Sequence, residues 1–267
     1  MDSVELAQKA RIDALKMVHS ANASHIGSAL SIIDILSVLY TDVINIDPSN
    51  PNEENRDRFI LSKGHACVGV YSILANINLL NKKMLNEYGQ NESILMNHIS
   101  HKVPGVEFST GSLGHGLPFG IGKAIASKRS GSNWKTYVLL SDGEMQEGSN
   151  WEALMFSSHH KLNNLIAIID YNNLQSLTTV QETLNIEPLE DKLVSFGWNV
   201  YMIDGHNHND IKNAFNASAK EKNKPSIVVC KTTKGKGVSF MENEVAWHYK
   251  SPNDTELQMA INEIKDA

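Results

Sequence analysis

The chain has 267 residues, 41% hydrophobic and 20% charged, which allows a substantial buried core and excludes a disordered or disulfide-stapled chain. Its formal net charge of −6 argues against a nucleic acid or an anionic membrane surface as the main partner. The two cysteines, Cys67 and Cys230, form no C-x-x-C pair, so they read as buried thiols in a reducing compartment and not as zinc ligands or a dithiol. The N-terminal stretch mixes charged and apolar residues and lacks the apolar centre of a signal peptide. No run of about 18 apolar residues marks a membrane span. These features predict a cytoplasmic protein with residues 1–267 in one α/β domain.

Residues 4–20 and 28–46 carry apolar residues at helical spacing and predict two helices. Pro48 and Pro51 close that pair with a loop. Residues 58–62 predict a short strand, and 66–80 a helix. Residues 86–112 are polar and irregular, and so long a loop inside a compact domain points to function. A Gly-rich start then leads into a helix through Lys128. Strands are predicted at 136–140, 165–169, 198–203 and 226–230, and helices at 149–161, 187–196 and 209–220 between them. Alternating strands and helices imply a parallel sheet flanked by helices on both faces. The last forty residues are polar and include Trp247-His248.

Ligands in such sheets bind at the carboxyl ends of the strands. Four polar segments each follow a predicted strand: Ser62-Lys63-Gly64-His65, Ser141-Asp142-Gly143, Asp170-Tyr171-Asn172 and Thr232-Thr233-Lys234. Asp142 is a hard oxygen ligand suited to Mg²⁺ or Ca²⁺. Asn172 adds a neutral amide oxygen, and a nearby backbone carbonyl a third donor. Gly143 allows close approach of a phosphate. An Asp before a Gly is by itself most often a turn residue. The pairing of Asp142 with Asn172, each at the end of a strand with a full helix between them, is far more specific.

The run Ser141-Asp142-Gly143 through Asn172-Asn173 resembles the G-D-G…N-N signature of thiamine-diphosphate enzymes. Surrounding segments narrow the resemblance to the transketolase family. They are Ala23-Ser24-His25-Ile26-Gly27-Ser28, Leu61-Ser62-Lys63-Gly64-His65-Ala66, Pro104-Gly105-Val106-Glu107, Thr110-Gly111-Ser112-Leu113-Gly114, Lys231 to Gly237, and Trp247-His248. The resemblance runs in order along nearly the whole chain. It implies a thiamine-diphosphate-binding fold of the diphosphate-binding type.

The resemblance also implies roles. Asp142, Asn172 and the Leu174 carbonyl match metal ligands for Mg²⁺, with Ca²⁺ or Mn²⁺ as substitutes. Ser28, Lys63, His65, Gly111, Ser112, Leu113, Gly143, Asn172, Lys234 and His248 match cofactor contacts. Glu147 matches a position near the paired active sites of the dimer. His25, His65, His98 and His248 match the histidines around the substrate, with His101 as an alternative to His98. Imidazole suits proton movement at sugar hydroxyls near neutral pH. Carbanion stabilisation belongs to the cofactor.

Three departures stand out: Ser141 for the leading Gly, Ile26 where Pro is common, and His115 where Gln is common. Ser141 fits if that residue needs no positive φ. Ile26 should leave the His25 loop less rigid. His115 would add a titratable group near the cofactor pocket.

Full-length transketolases resemble three domains, of which this chain matches the first. It therefore resembles the N-terminal subunit of a split transketolase. A C-terminal subunit would supply the pyrimidine-binding domain and its activating Glu, in an α2β2 assembly acting on sugars or sugar phosphates. Two other readings stay open at this point: a cofactor-binding homologue without catalysis, and a subunit resembling the deoxyxylulose-phosphate synthases, which Trp247-His248 disfavours. A P-loop is rejected because the Gly spacing before Lys123 fails and Ala124 follows it. A dinucleotide fingerprint is rejected because no G-x-G-x-x-G follows the first strand. His206-Asn207-His208 has H-x-H spacing without a third ligand nearby, so it does not read as a metal site. His159 and His160 read as surface or packing residues.

Overall fold

A computed structural model describes residues 1–266. Helix α1 (Ser3–Ala21) begins where the Asp2 carboxylate accepts the Glu5 N–H at 2.8 Å and ends on Asn22 in the left-handed conformation. The helix expected over 28–46 is broken into α2 (Ile26–Leu30), α3 (Ile33–Val38) and a π-helical turn, Leu39–Val43. The first break falls at Ser31, whose hydroxyl donates to Asp170 at 2.6 Å, a tertiary contact that helical periodicity does not record. Strand β1 (Arg58–Leu61) and helix α4 (Cys67–Asn76) follow. The irregular stretch predicted over 86–112 is observed, and helix α5 (Gly116–Ser130) comes after it.

Beyond α5 the alternation is regular. Strand β2 (Thr136–Ser141) leads to α6 (Gly148–His159), and β3 (Leu165–Tyr171) to α7 (Val180–Leu184) and α8 (Leu189–Ser195). Strand β4 (Asn199–Asp204), α9 (His208–Lys220) and β5 (Ser226–Lys231) complete it. The polar tail also holds a helix, α10 (Asp254–Asp266), which buries Ala260, Ile261 and Ile264. Its apolar stripe is narrow on a mostly polar segment, so composition alone does not reveal it.

The five strands are all parallel, in the order β1-β2-β3-β5-β4. Side chains alternate between two cores. Phe59, Tyr137, Ile166, Ile168 and Val228 pack with α1, α3, α4 and α9 on one face. Ile60, Val138, Ala167, Ile169 and Val229 pack with α5, α6 and α8 on the other. Burial on both faces explains the continuous apolar runs of the central strands β2, β3 and β5, while β4, at the sheet edge, is half-buried. Because all strands are parallel, their carboxyl ends share one edge, and the four polar segments meet there. Both cysteines are buried and unpaired. Among the described residues no helix is long and apolar enough to cross a membrane.

Candidate active site

Asp142 is 1% exposed at the end of β2. Its Oδ1 accepts the Gly143 N–H at 2.7 Å and its Oδ2 the Asn173 N–H at 2.5 Å. It makes no ion pair among the described residues. Burial, and then the Asp170 carboxylate, push its pKa up to about 6 against the two backbone donors. Two steps past β3's buried Asp170 lies Asn172. Its Nδ2 donates to Asp170 at 3.0 Å and to Ser31 Oγ at 3.1 Å. That network fixes the amide orientation and frees Oδ1, which accepts the Leu174 N–H at 3.0 Å.

Asp170 is the hub behind this edge. It is fully buried, pairs with Lys63 and accepts from Ser31 and Thr232. Lys63, 1% exposed, also donates to the Ser28 carbonyl at 3.3 Å. Lys234 is equally buried, and its ammonium donates to the Gln175 carbonyl at 2.7 Å, the Leu174 carbonyl at 3.4 Å and His248 Nδ1 at 3.0 Å. Burial and then the Lys63 charge lower its pKa to about 8. Glu144, which no sequence pattern marks, is fully buried; it accepts from Ser62 and from the Gly114 N–H at 2.9 Å and so ties the glycine-rich loop to β1.

Four imidazoles surround a cavity of about 240 Å³ above these residues. His25 stands at ring-centroid distances of 5.2 Å from His65, 5.7 Å from His98 and 5.0 Å from His248. His25 has φ +74°, a left-handed conformation uncommon for a residue with a side chain. Its N–H donates to the His248 carbonyl at 2.7 Å, which holds that conformation. Ile26, in place of proline, is fully buried and anchors the same turn through its side chain. Burial lowers the pKa of His25 to about 4 and of His248 to about 3, with Lys234 and other nearby charges adding to it. His65 is lowered well below its ordinary value and His98 is lowered, both first by burial. All four rings are therefore neutral at pH 7. Since His248 Nδ1 accepts from Lys234, its proton sits on Nε2.

The structure brings Ser28, Lys63, His65, Gly111, Leu113, Gly143, Asn172 and Lys234 to this cavity together with Asp142, Leu174, His25, His98 and His248. Two residues in the sequence-derived set are not in its lining. Ser112 is exposed while its neighbours line the cavity, and Glu147 is exposed with its side chain over Gly114. His101 points elsewhere, bonding Ser109 at 2.7 Å, so His98 is the histidine of that loop at the site. His115 is exposed outside the lining. Ser141 has no positive φ, as its replacement of Gly requires. Gln175 and Tyr249 also line the cavity. No regular spacing marks them in the sequence, because each is placed by a loop.

The donors suit a hard cation with a phosphorylated ligand. One buried carboxylate, one amide oxygen and the Leu174 carbonyl leave coordination positions for phosphate oxygens. No cluster of three His, Cys, Asp or Glu competes for a metal among the described residues. Gln175 Nε2 is buried without a partner among the described residues, at the same spot where Gly143 has no side chain. A Cβ on Gly143 would lie 3.0 Å from Gln175 Cγ and Cδ, so a larger residue there would crowd the Gln175 side chain.

The sequence profile described as "Transketolase, thiamine diphosphate binding domain" matches residues 3–263. The chain is 42% identical to an apulose-4-phosphate transketolase subunit of Actinobacillus succinogenes over 269 aligned residues, covering 98% of this chain and 96% of that protein. It is 39% identical to the protein of the same name from Phocaeicola vulgatus, covering 100% of this chain and 95% of the relative. Among solved structures, the transketolase of Campylobacter jejuni superposes with a TM-score of 0.92 at 32% identity over 98% of this chain. The chain spans 42% of the length of that enzyme.

Proposed function

Because the chain belongs to the transketolase family and matches its thiamine diphosphate binding domain, we propose that it is the N-terminal subunit of a split transketolase. It transfers a two-carbon ketol unit from a ketose, or ketose phosphate, to an aldose acceptor. A second chain carries the pyrimidine-binding and C-terminal domains, in an α2β2 assembly in the cytoplasm. The two relatives named as transketolase subunits, each matched over nearly its whole length, support the two-chain reading. The observation that carries the site assignment is the buried, ion-pair-free carboxylate of Asp142 beside Asn172, beneath four neutral imidazoles.

Asp142, Asn172 Oδ1 and the Leu174 carbonyl would hold Mg²⁺, with Ca²⁺ or Mn²⁺ as substitutes, against the diphosphate. Gly143, Ser28 and Lys234 would meet that diphosphate. When bound, thiamine diphosphate supplies the electron sink for the ketol carbanion. This chain's part is binding, orientation and proton handling. His25, His65, His98 and His248 can each donate from one ring nitrogen and accept at the other, which suits the hydroxyls and carbonyl of a sugar. Their low pKa values keep both functions present at pH 7. Lys63, neutralised by Asp170, would face the cofactor without adding a free charge.

The test is a ketol-transfer assay on the chain co-expressed with its partner chain. It would contain thiamine diphosphate, Mg²⁺ and a set of ketose phosphates. Apulose 4-phosphate, for which two relatives are named, is the first donor to assay. Transfer in the two-chain preparation and none with either chain alone is the expected result. Robust transfer by this chain alone would overturn the two-chain reading.

A further inference from the structure

His206 and His208 lie outside the cofactor cavity and border a second cavity of about 540 Å³ with Arg11, Asp34 and Lys236. They hold no metal cluster. They converge on Asp34, which is 5% exposed. Asp34 Oδ2 accepts from Arg11 at 2.6 Å and from His206 Nδ1 at 2.7 Å, and its Oδ1 accepts from His208 Nε2 at 3.1 Å. Burial opposes ionisation of Asp34. The Arg11 charge and the histidine hydrogen bonds outweigh it and hold the carboxyl far below its usual range.

Two contacts run from this cluster to the loop after β5. The Thr233 N–H donates to His206 Nε2 at 2.8 Å, and Arg11 Nε donates to the Lys236 carbonyl at 3.2 Å. They bracket Lys234, whose ammonium bridges Leu174, Gln175 and His248 at the cofactor cavity. Because His206 Nε2 accepts, its proton sits on Nδ1 and is donated to Asp34, which selects the tautomer able to hold Thr233. A backbone N–H left without an acceptor would be free to move the loop.

We propose that His206 is a positioning residue that acts through the Thr233 N–H to hold Lys234 in register with the diphosphate site. The clamp joins α1, α3 and the β4–α9 turn to one loop of the site, so cofactor affinity depends on residues that never touch the cofactor. It rests on the reading of the cavity as a thiamine diphosphate site.

The test exploits the two ring nitrogens. His206→Gln places an amide oxygen near the position of Nε2 and keeps an acceptor for Thr233. His206→Asn places an amide NH₂ near the position of Nδ1 and keeps the donor to Asp34. Thiamine diphosphate is titrated calorimetrically, with Mg²⁺, into the chain with its co-expressed partner chain, and turnover is measured at saturating cofactor. His206→Ala and His206→Asn should each weaken cofactor binding about tenfold, the loss of roughly one hydrogen bond to a positioned group. His206→Gln should stay within about threefold of the unaltered protein, and turnover at saturation should change little in all three. Rescue by Asn and not by Gln would show a role confined to supporting Asp34 and overturn the proposal. So would unchanged affinity in all variants, or a loss in turnover alone. If the unaltered protein itself binds no cofactor with Mg²⁺, the cavity reading falls first and the clamp with it. The Asn–Gln comparison decides the matter even where the Ala variant fails to fold.

Discussion

The His25 N–H donates to the His248 carbonyl at 2.7 Å, and the two imidazoles meet edge-on at 5.0 Å between centroids. One backbone bond thus fixes the left-handed turn at His25 and the relative placement of two rings drawn from opposite ends of the chain. His25→Ala and His248→Ala keep that bond and remove one ring each. Each should lower kcat/KM for ketol transfer by about 100-fold, the scale of one lost proton-transfer or hydrogen-bonding group. Steady-state kinetics of the two-chain enzyme checks this, and a change below about threefold would deny the ring a role in the reaction.

The low imidazole pKa values make stability depend on pH. His25 titrates at about 4 and His248 at about 3 in the folded chain, both below the ordinary value of 6.5. Between pH 6.5 and those values the unfolded chain binds more protons, so stability rises with pH in that window and is lost as pH falls through it. Their titration should lower the melting temperature from pH 7 to pH 5, partly offset by Asp142, whose pKa, raised to about 6 by burial, makes the folded chain the better proton binder at that group. That drop should be smaller in His25→Asn, which removes one of the titrating groups. An equal drop in the variant would exclude His25 as a contributor.

Asp170 sets both a charge and an orientation. Its carboxylate neutralises Lys63 and accepts from Asn172 Nδ2, which leaves the Asn172 Oδ1 as the acceptor facing Leu174. Asp170→Ala leaves the Lys63 ammonium buried without its counter-charge and should cost about 3–5 kcal/mol of stability. It should also weaken Mg²⁺-dependent cofactor binding, because Asn172 Nδ2 then keeps only its bond to Ser31 Oγ and the amide is held less firmly. Denaturant unfolding and calorimetry read the two effects separately. A normal denaturation midpoint would show that the pair is not structurally important.

Much of this is legible in the residues. The strands are continuous apolar runs, so their number, order in the chain and polar ends can be read directly, and a parallel sheet puts Asp142, Asn172 and Lys234 on one edge. The helix expected over 28–46 does not run unbroken because Ser31 bonds to Asp170, a contact between residues distant in sequence. Helix α10 is hidden by the polar composition of the tail, although Leu257, Ala260, Ile261 and Ile264 do recur at helical spacing and three of them are buried. In the site, Ser112 and Glu147 fall in matched segments yet face outward, since loop segments place neighbouring residues on different sides. Glu144, Gln175 and Tyr249 carry no spacing signal. Only the folded loops show that the first pins the glycine-rich turn and that the other two reach the cavity.

Asp142 is the residue on which the cofactor site turns. Thiamine diphosphate is titrated calorimetrically into the two-chain protein, with Mg²⁺ and with chelator, using the unaltered chain and Asp142→Ala. Binding that requires Mg²⁺ in the unaltered protein and disappears in Asp142→Ala is the predicted result. Equal, Mg²⁺-dependent affinity in both would contradict the assignment of Asp142 as the ligand that holds the cofactor's cation.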